Sequence, residues 1–593
     1  MASLLSKNWQ PALLDSRAVL TLQQKCQISE VLASLLYLRG INHQKVANFL
    51  DPKLKNILPN PNELQGIAVA CQTVYEALLN NKKITIFADY DVDGATSSAI
   101  LVLFFRALNI EVDVYIPDRI LEGYGPNVEA LLQLKNNGTD LVIMVDCGTV
   151  AFAPILAGKE AGLDIIVIDH HLGVLEKPSA IAIINPNSLG ETFSHKNLCA
   201  AGVVFLFLVA LNQKLRQDNF FTQHNITEPN LFNLLDLVAL GTVCDVMPLL
   251  DLNRAFVKIG LQVLATRKNL GLKTLCDLAG LTHKPNVYSL GFVIGPKINA
   301  GGRVGNANLG SKLLTCQNEY EANQIAVSLN NFNEQRKNLE NQILQEAISQ
   351  LQNPANAFSH LDNIIFAVGK NWHQGVIGII ASRLKDLYHK PVAVVTILDN
   401  HKAKASCRSI SGVDFGKAIL EAKLQGLLLE GGGHAMAGGF SVEPSKINDL
   451  HQFFTKNLAT SLQNSLQNKV YQYDFALDWS MMNLNLLQEI SKLEPFGVGN
   501  PQPVFLLKNI YKINAKKVGA KQEHISCTIA SKTPVGLKNQ GNAIAFRSAD
   551  NALGDFLLNS KNNNFSAIGC VSINYWLDVA KIQLTIEDII YDN

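Results

Sequence analysis

Early in the chain, short apolar runs repeatedly end on an acidic residue, and that repetition dictates a fold class. ITIF leads through Ala88 into Asp89-Tyr90-Asp91-Val92-Asp93-Gly94, LVIMV ends at Asp146, and IIVI ends at Asp169-His170-His171. Apolar runs this short, rich in β-branched residues, read as strands buried on both faces. EVDVYIP and AIAIIN supply two further strands, and GATSSAILVLFFRALN is the clearest intervening helix. Strand and helix alternating from about residue 84 to residue 250 predict a doubly wound parallel sheet. Ligands of such a sheet gather beyond the carboxyl ends of its strands. Asp89, Asp146 and His170 are therefore expected at one edge.

The residues at that edge carry a recognisable chemistry. LDLVALGTVCDVMPL adds Asp245 to Asp89, Asp91, Asp93 and Asp146. Hard divalent cations take carboxylate oxygens, and the His170 imidazole suits Mn-type metals. Such a set of carboxylates with a histidine is what a two-metal phosphoester-cleaving site needs. Any one of these aspartates alone reads more readily as a helix cap or a turn residue. Together they point to metal-dependent hydrolysis of phosphodiesters.

Composition excludes some alternatives. Lys+Arg 51 against Asp+Glu 50 leaves a net charge of +1, so the chain has no bulk electrostatic hold on nucleic acid, and any such role rests on local patches. The 10 cysteines contain no C-x-x-C pair, and Cys147, Cys199 and Cys244 lie in apolar or motif segments, as reduced thiols of a cytoplasmic protein do. MASLLSKNWQPALLD has no basic region followed by a long apolar core, so no signal peptide is expected. The longest apolar run, Leu198 to Leu211, falls short of the roughly 20 residues of a membrane span and reads as a buried helix.

With 593 residues and 48% apolar content, several domains are expected. Residues 1–80 read as a helical N-terminal segment and 81–318 as the first α/β lobe. Residues 319–354 read as a long connecting helix, with Ile325, Leu329, Leu339, Ile343, Leu344 and Ile348 recurring on one face. IIFAV, VIGIIASRLKDLY, PVAVVTI and FSV make 355–460 a second α/β lobe. Short alternating strands make 461–593 a small β-barrel. Its Lys508, Lys512, Lys516, Lys517 and Lys521, beside Tyr511, Phe546-Arg547 and Tyr575-Trp576, suit single-strand binding, although strand aromatics are more often core. Arg303, in the glycine-flanked NAGGRVGN, reads as a phosphate clamp on a loop or else as a surface turn residue. His434 of GGGHAMAGGF has too little side-chain mass around it for a core residue; amides there, at Gly433 for example, suit a phosphate, and a tight strand-connecting turn is the other reading. His401 lies in a polar loop and reads as exposed.

Taken in order, DYDVDG, VDCGT, DHH and GTVCDVMPL resemble the motifs of the DHH phosphoesterase superfamily. IPDRILEGYGPN, GPKINAGGR, WHQGVIGIIASRL, GGGHAMAGGF and LEPFGVGNPQPVF are similar to RecJ-type single-strand-specific exonucleases, across residues 84 to about 505. The resemblance implies a DHH lobe and a DHH-associated lobe joined by the long helix, with an OB-like barrel after them. It implies that Asp91, Asp93, Asp146, His170 and Asp245 hold two divalent ions, Mn²⁺ or Mg²⁺. Asp89 joins them on residue type, although some relatives carry a histidine a little upstream, where this chain reads IFAD. It sets His171 near the scissile phosphate and leaves Asp169 to orient His170. His373, Arg408 and Ser409 become phosphate or strand-end contacts. The activity implied is 5′→3′ degradation of single-stranded DNA to 5′-mononucleotides in repair and recombination, by a cytoplasmic monomer with no membrane partner. Single-strand-binding protein and a helicase are the protein partners to expect. A small-substrate DHH phosphodiesterase would not need the β domain and its lysines, and a DNA-binding scaffold without activity would have lost metal carboxylates that this chain keeps.

Overall fold

The computed structural model describes residues 3–119, 121–123, 125–353, 358–359, 362–399, 402–467, 470–534, 536–560, 564–576 and 579–590, with backbone alone at 466–467, 533, 575–576 and 579. His401 and the side chains of Tyr575 and Trp576 fall outside them. The chain divides into two compact units: 1–58 with 248–258 and 469–593, and 59–247 with 259–468.

The larger unit holds both α/β lobes. In the first, five parallel strands run in the spatial order 113–115, 84–88, 141–145, 164–168, 182–184. Numbered along the chain this is 2-1-3-4-5, an order that reverses between the first strand, Ile84–Ala88, and the third, Leu141–Val145. The crevice at such a reversal is where doubly wound sheets bind ligands, because the connections on either side leave in opposite directions. Asp89 and Asp146 follow those two strands. The strands are buried on both faces, as uninterrupted apolar runs require. The apolar run from Leu198 forms much of the buried helix Ala200–Gln217, and among the described residues no helix is long and apolar enough to cross a membrane.

Helix Glu319–Gln352 joins this lobe to the second. Ile325 and Leu329 are buried in its first half. In its second half Ile343, Ala347 and Leu351 share a core with Ile365, Val376 and Val394. Glu340, fully buried, is bonded by Arg336 at 2.8 Å and by Arg383, so its charge is paired where removing a partner would be expensive. The second lobe is a mixed five-stranded sheet in the order 430–434, 437–442, 403–408, 392–397, 365–370. GGGHAMAGGF forms its outer hairpin, so the turn reading of that motif holds.

The smaller unit is a barrel closed through the strands Val504–Val518 and Asn564–Trp576, with 524–533, 536–545 and 579–590 completing it. Residues 1–58 do not stand as a separate segment of 80 residues. Val31, Leu32, Leu35 and Leu36 share one core with Trp479, Phe505, Leu507 and Ile529 of the barrel, whereas residues 59–80 belong to the larger unit. The helical spacing of the N-terminus marks an apolar face but not the distant strands that cover it. The helix Ile447–Gln467 likewise continues past residue 460, because Leu450, Phe454, Leu458 and Leu462 pack on the second lobe.

The run LEPFGVGNPQP has a structural role here. Arg254, 1% exposed, donates to the carbonyls of Phe49 and Glu494, both at 2.8 Å, and lies 3.9 Å from the Phe49 ring centre. Burial drives its pKa down to about 10. Asn500 donates to Leu493 O (2.9 Å) and Pro495 O (2.8 Å) and accepts from Arg39 Nε at 2.7 Å. The run is thus a cradle of carbonyls for buried arginine. Arg254→Ala should strand those carbonyls and cost on the order of 3 kcal/mol. A thermal melt should show a drop of several degrees, partly restored by Arg254→Lys; an unchanged melt would contradict the cradle.

Candidate active site

The carboxylates meet where the sheet order reverses. Asp91 caps helix Val92–Ala107: its Oδ1 accepts from Asp93 N at 2.8 Å and Gly94 N at 3.1 Å. A Cβ on Gly94 would strike the Asp89 carbonyl, so only glycine lets this helix start so close to the strand end. Asp93 points to a second helix start, Ala200–Gln217, and accepts from Ala200 N (2.6 Å) and Ala201 N (3.0 Å). Both aspartates therefore do the bland work of helix caps, and both also line the site. Asp146 sits just past its strand at φ 61°, a left-handed conformation that Asp tolerates better than most residues. Asp245 is contributed by a helix, as the residue that ends Leu235–Cys244.

Ligating atoms of Asp89, Asp91 and Asp146 lie within 4.8 Å of one another, as do those of Asp93, His170 and Asp245, and of Asp146, His170 and His171. His170 Nε2 is 3.2 Å from Asp146 Oδ1, 3.5 Å from Asp245 Oδ2 and 3.8 Å from Asp93 Oδ2. Among the described residues, His170 Nε2, Asp89 Oδ1 and Asp245 Oδ2 are buried polar atoms with no hydrogen-bond partner. Burial raises Asp89, Asp93 and Asp146 above the usual carboxylate range, and neighbouring aspartates add to it. Burial with Asp93 and Asp91 pushes Asp245 up to about 8, and burial lowers His170, leaving a neutral imidazole at pH 7. Orphaned hard oxygens, mutual repulsion and a neutral imidazole nitrogen are a donor set fitted to divalent cations.

Asp169 corrects one expectation. Its Oδ1 lies 2.7 Å from Nδ1 of His171, not on the ring of His170, and it also accepts from the backbone N–H groups of His170 (2.7 Å) and His171 (3.2 Å). Its Oδ2 accepts from Thr149 N at 3.0 Å. Burial works to raise Asp169, but these bonds outweigh it and hold the carboxyl low. Burial would lower His171; the Asp169 bond and charge instead raise it to about 9, so this partly exposed ring is an imidazolium at neutral pH. Asn185 Nδ2 donates at 2.8 Å to both Thr149 Oγ1 and His171 O, and Asn187 Nδ2 donates at 2.5 Å to His170 O. Sequence pattern alone did not mark these two asparagines, although Asn185 ends an apolar run just as the aspartates do.

The cations gather beside the carboxylates, within the same unit. Arg303 lies in the last turn of helix Gly295–Val304, not in a loop, and its Nη1 donates to Gly375 O of the second lobe at 2.9 Å. That helix presses on the DYD turn, since a Cβ on Gly302 would strike the Tyr90 carbonyl. His373 caps helix Gln374–Tyr388, its Nδ1 accepting from Gly375 N at 3.1 Å. Arg408 ends the strand Ala403–Arg408 and abuts Gly378 of that helix. Arg119, which the sequence motifs did not single out, stacks 4.9 Å from the Tyr90 ring centre. Burial lowers Arg303 (to about 10), His373 and Arg408, and Arg119 depresses each of them further. Arginines crowded around a helix start, with the neutral imidazole of His373 as its cap, are an arrangement suited to an anion. A lone arginine in the glycine- and proline-flanked IPDRILEGYGPN was the available signal for Arg119.

Strand register sets His434 opposite Ala437, which pairs with Arg408, so the exposed His434 shares one sheet edge with that arginine. Gly433, at φ 153°, packs on Gly438 and Ala437, where no side chain fits. Ser409 is not available for a substrate contact through its hydroxyl: it is fully buried and donates to Val413 O at 2.6 Å. In the barrel, Lys512 is likewise buried and donates to Leu557 O at 2.8 Å, closing the helix Ala552–Asn559, while Lys508, Lys516, Lys517 and Lys521 are exposed. Phe546 is exposed and Tyr511 half-buried.

Family models match three parts of the chain: the DHH family N-terminal domain at residues 83–242, the DHHA1 domain at 361–460 and the RecJ OB domain at 473–588. The single-stranded-DNA-specific exonuclease RecJ of Bacillus subtilis strain 168 is 32% identical over 593 residues, covering 98% of this chain and 70% of that protein. RecJ of Haemophilus influenzae is 35% identical over 489 residues, 82% of this chain and 84% of its own. The crystal structure of RecJ from Thermus thermophilus in complex with Mn²⁺ superposes with a TM-score of 0.78 at 26% identity, covering 99% of this chain and 80% of that one. A structure of the same protein with Mg²⁺ gives a TM-score of 0.74 at 26% identity, over 99% and 79%. With its DHH, DHHA1 and OB domains and relatives at this identity over most of their length, the chain belongs to the RecJ family of single-stranded-DNA-specific exonucleases.

Proposed function

We propose that this chain is a metal-dependent exonuclease of single-stranded DNA that works 5′→3′, releases 5′-mononucleotides and serves repair and recombination. The observation that carries the reading is the pairing of buried, partnerless metal-donor atoms with a cluster of mutually repelling cations in one unit. Asp89, Asp91, Asp93, Asp146, His170 and Asp245 would hold two divalent ions, Mn²⁺ or Mg²⁺. When bound, such ions supply Lewis acidity toward phosphate oxygens and acidify water. His171, kept protonated and oriented through Nδ1 by Asp169, presents a positive ring to the phosphate under attack. Arg119, Arg303, Arg408, His373 and the hairpin at Gly433 and His434 would grip the terminal phosphate of the strand. The exposed lysines of the barrel would steer the remainder. We further read 81–318 as catalytic lobe, 319–354 as connecting helix, 355–460 with the helix that runs on to Gln467 as second lobe, and the barrel that follows as the DNA-binding domain. The enzyme would act as a cytoplasmic monomer beside a single-strand-binding protein and a helicase.

Digestion of end-labelled strands with Mn²⁺, Mg²⁺ or chelator tests the activity. Asp146→Asn should cut the rate at least a hundredfold or so, since a charge that holds the metal is lost, while the metal-free protein melts no lower. More than a tenth of wild-type activity would contradict the assignment.

Raised carboxyl pKa values favour the folded metal-free protein at low pH, and that advantage disappears as pH rises through about 8, the value for Asp245. Cations displace those protons, so the gain in melting temperature from saturating Mn²⁺ should widen between about pH 5.5 and 8.5. Parallel curves with and without Mn²⁺ would count against the site.

Arg408→Ala and Arg119→Ala should raise KM by roughly tenfold or more on 5′-phosphorylated strands and much less on 5′-hydroxyl strands. Equal loss on both would show that these cations do not read the terminal phosphate.

A further inference from the structure

One exposed aromatic pair in the larger unit belongs to none of the groups described above. Tyr288 is 65% exposed and Phe292 71%, yet their rings stack on each other with centroids 5.2 Å apart and planes 20° from parallel. Rings buried in a core would not show such exposure, and water gains nothing from contact with two flat apolar faces. Phe292 lies in a π-helical turn, Ser289–Ile294, and Tyr288 immediately precedes it, both set within a longer helix. Such turns interrupt regular helices at a cost and concentrate at functional sites.

The position of this turn relates the rings to the carboxylates. Cys244 Sγ donates to Leu290 O at 3.6 Å, and Gly295 lies so close to Cys244 that a side chain there would strike its sulfur. The next residue is Asp245. Beyond the π turn the helix continues as Gly295–Val304, with Arg303 in its last turn. One helical run therefore carries the ring pair on its exposed face, touches the residue before Asp245 through its buried face, and, roughly 20 Å along, carries an arginine of the cluster described above.

We infer that Tyr288 and Phe292 form a stacking platform for a nucleobase of the single strand, an inference that rests on the nuclease reading above. Every base has a π face, so aromatic stacking holds a strand without regard to sequence, as an exonuclease that must accept each successive nucleotide requires. Continuity with the carboxylates through a single helix favours a base over a protein side chain as the occupant.

The test measures binding of a 5′-phosphorylated 20-mer by fluorescence anisotropy, with Ca²⁺ replacing Mn²⁺, for the wild type, Tyr288→Ala, Phe292→Ala, the double variant, Phe292→Leu and Phe292→Trp. A parallel set of strands carries a single abasic site moved one nucleotide at a time. The double variant should bind the intact strand on the order of tenfold or more weakly. Trp should retain affinity and Leu, which keeps apolar bulk but no π face, should not. At one abasic position the wild type should lose a comparable factor while the double variant loses nothing further. Matched melting curves for the Leu and Trp variants exclude a folding defect. Alanine variants that bind as the wild type does, or that lose the same factor on every abasic strand, would overturn the platform and leave the nuclease reading intact. A wild type that neither binds nor cuts single strands would overturn both.

Discussion

The larger unit is organised around a repulsion. Several carboxylates lie buried at the reversal point of a parallel sheet, where water cannot screen them, and burial together with the neighbouring aspartates holds their protons on well above the usual range. A protein tolerates such crowding only if something positive relieves it. His170 cannot, because burial keeps it neutral. His171 does so in part, through the carboxylate of Asp169, and the remaining charge suits the cluster to a divalent cation.

Much of the geometry follows from residues that do two jobs. Asp91 and Asp93 cap two different helices with the carboxylates that also face the cluster. Capping fixes their orientation before any ligand arrives, which is how a site is preorganised. Glycine at 94 and 302 allows a helix start and a helix end to press on the same DYD turn. The arginine cluster depends on the second lobe: Arg303 reaches across to Gly375, and His373 and Arg408 both border the helix Gln374–Tyr388.

The smaller unit obeys a different constraint. Its barrel does not bury its own core unaided; helices from the first 58 residues complete it. The carbonyl-rich run at 493–501 then holds Arg39 and Arg254. The chemistry of that run is that of a cradle for guanidinium groups and not of a catalyst.

The sheet edge was legible in the sequence because strand ends in a parallel sheet must face one way, so runs ending at Asp89, Asp146 and His170 could only converge. Asp245 was legible as a metal-type residue, and the long helix 319–352 as an uninterrupted apolar face. Fold and catalytic chemistry are thus properties of local pattern. Other features were decided only when distant segments met. Arg303 stands in a helix that packs on Tyr90 through Gly302, Asp169 meets His171, and Ser409 and Lys512 are turned inward onto Val413 and Leu557. Arg119, Asn185 and Asn187 acquired roles only from what stands across from them. Residue type and spacing state what a side chain can bind; which partner satisfies it is set by the free-energy cost of leaving any buried polar group unpaired, and that is settled by the tertiary fold.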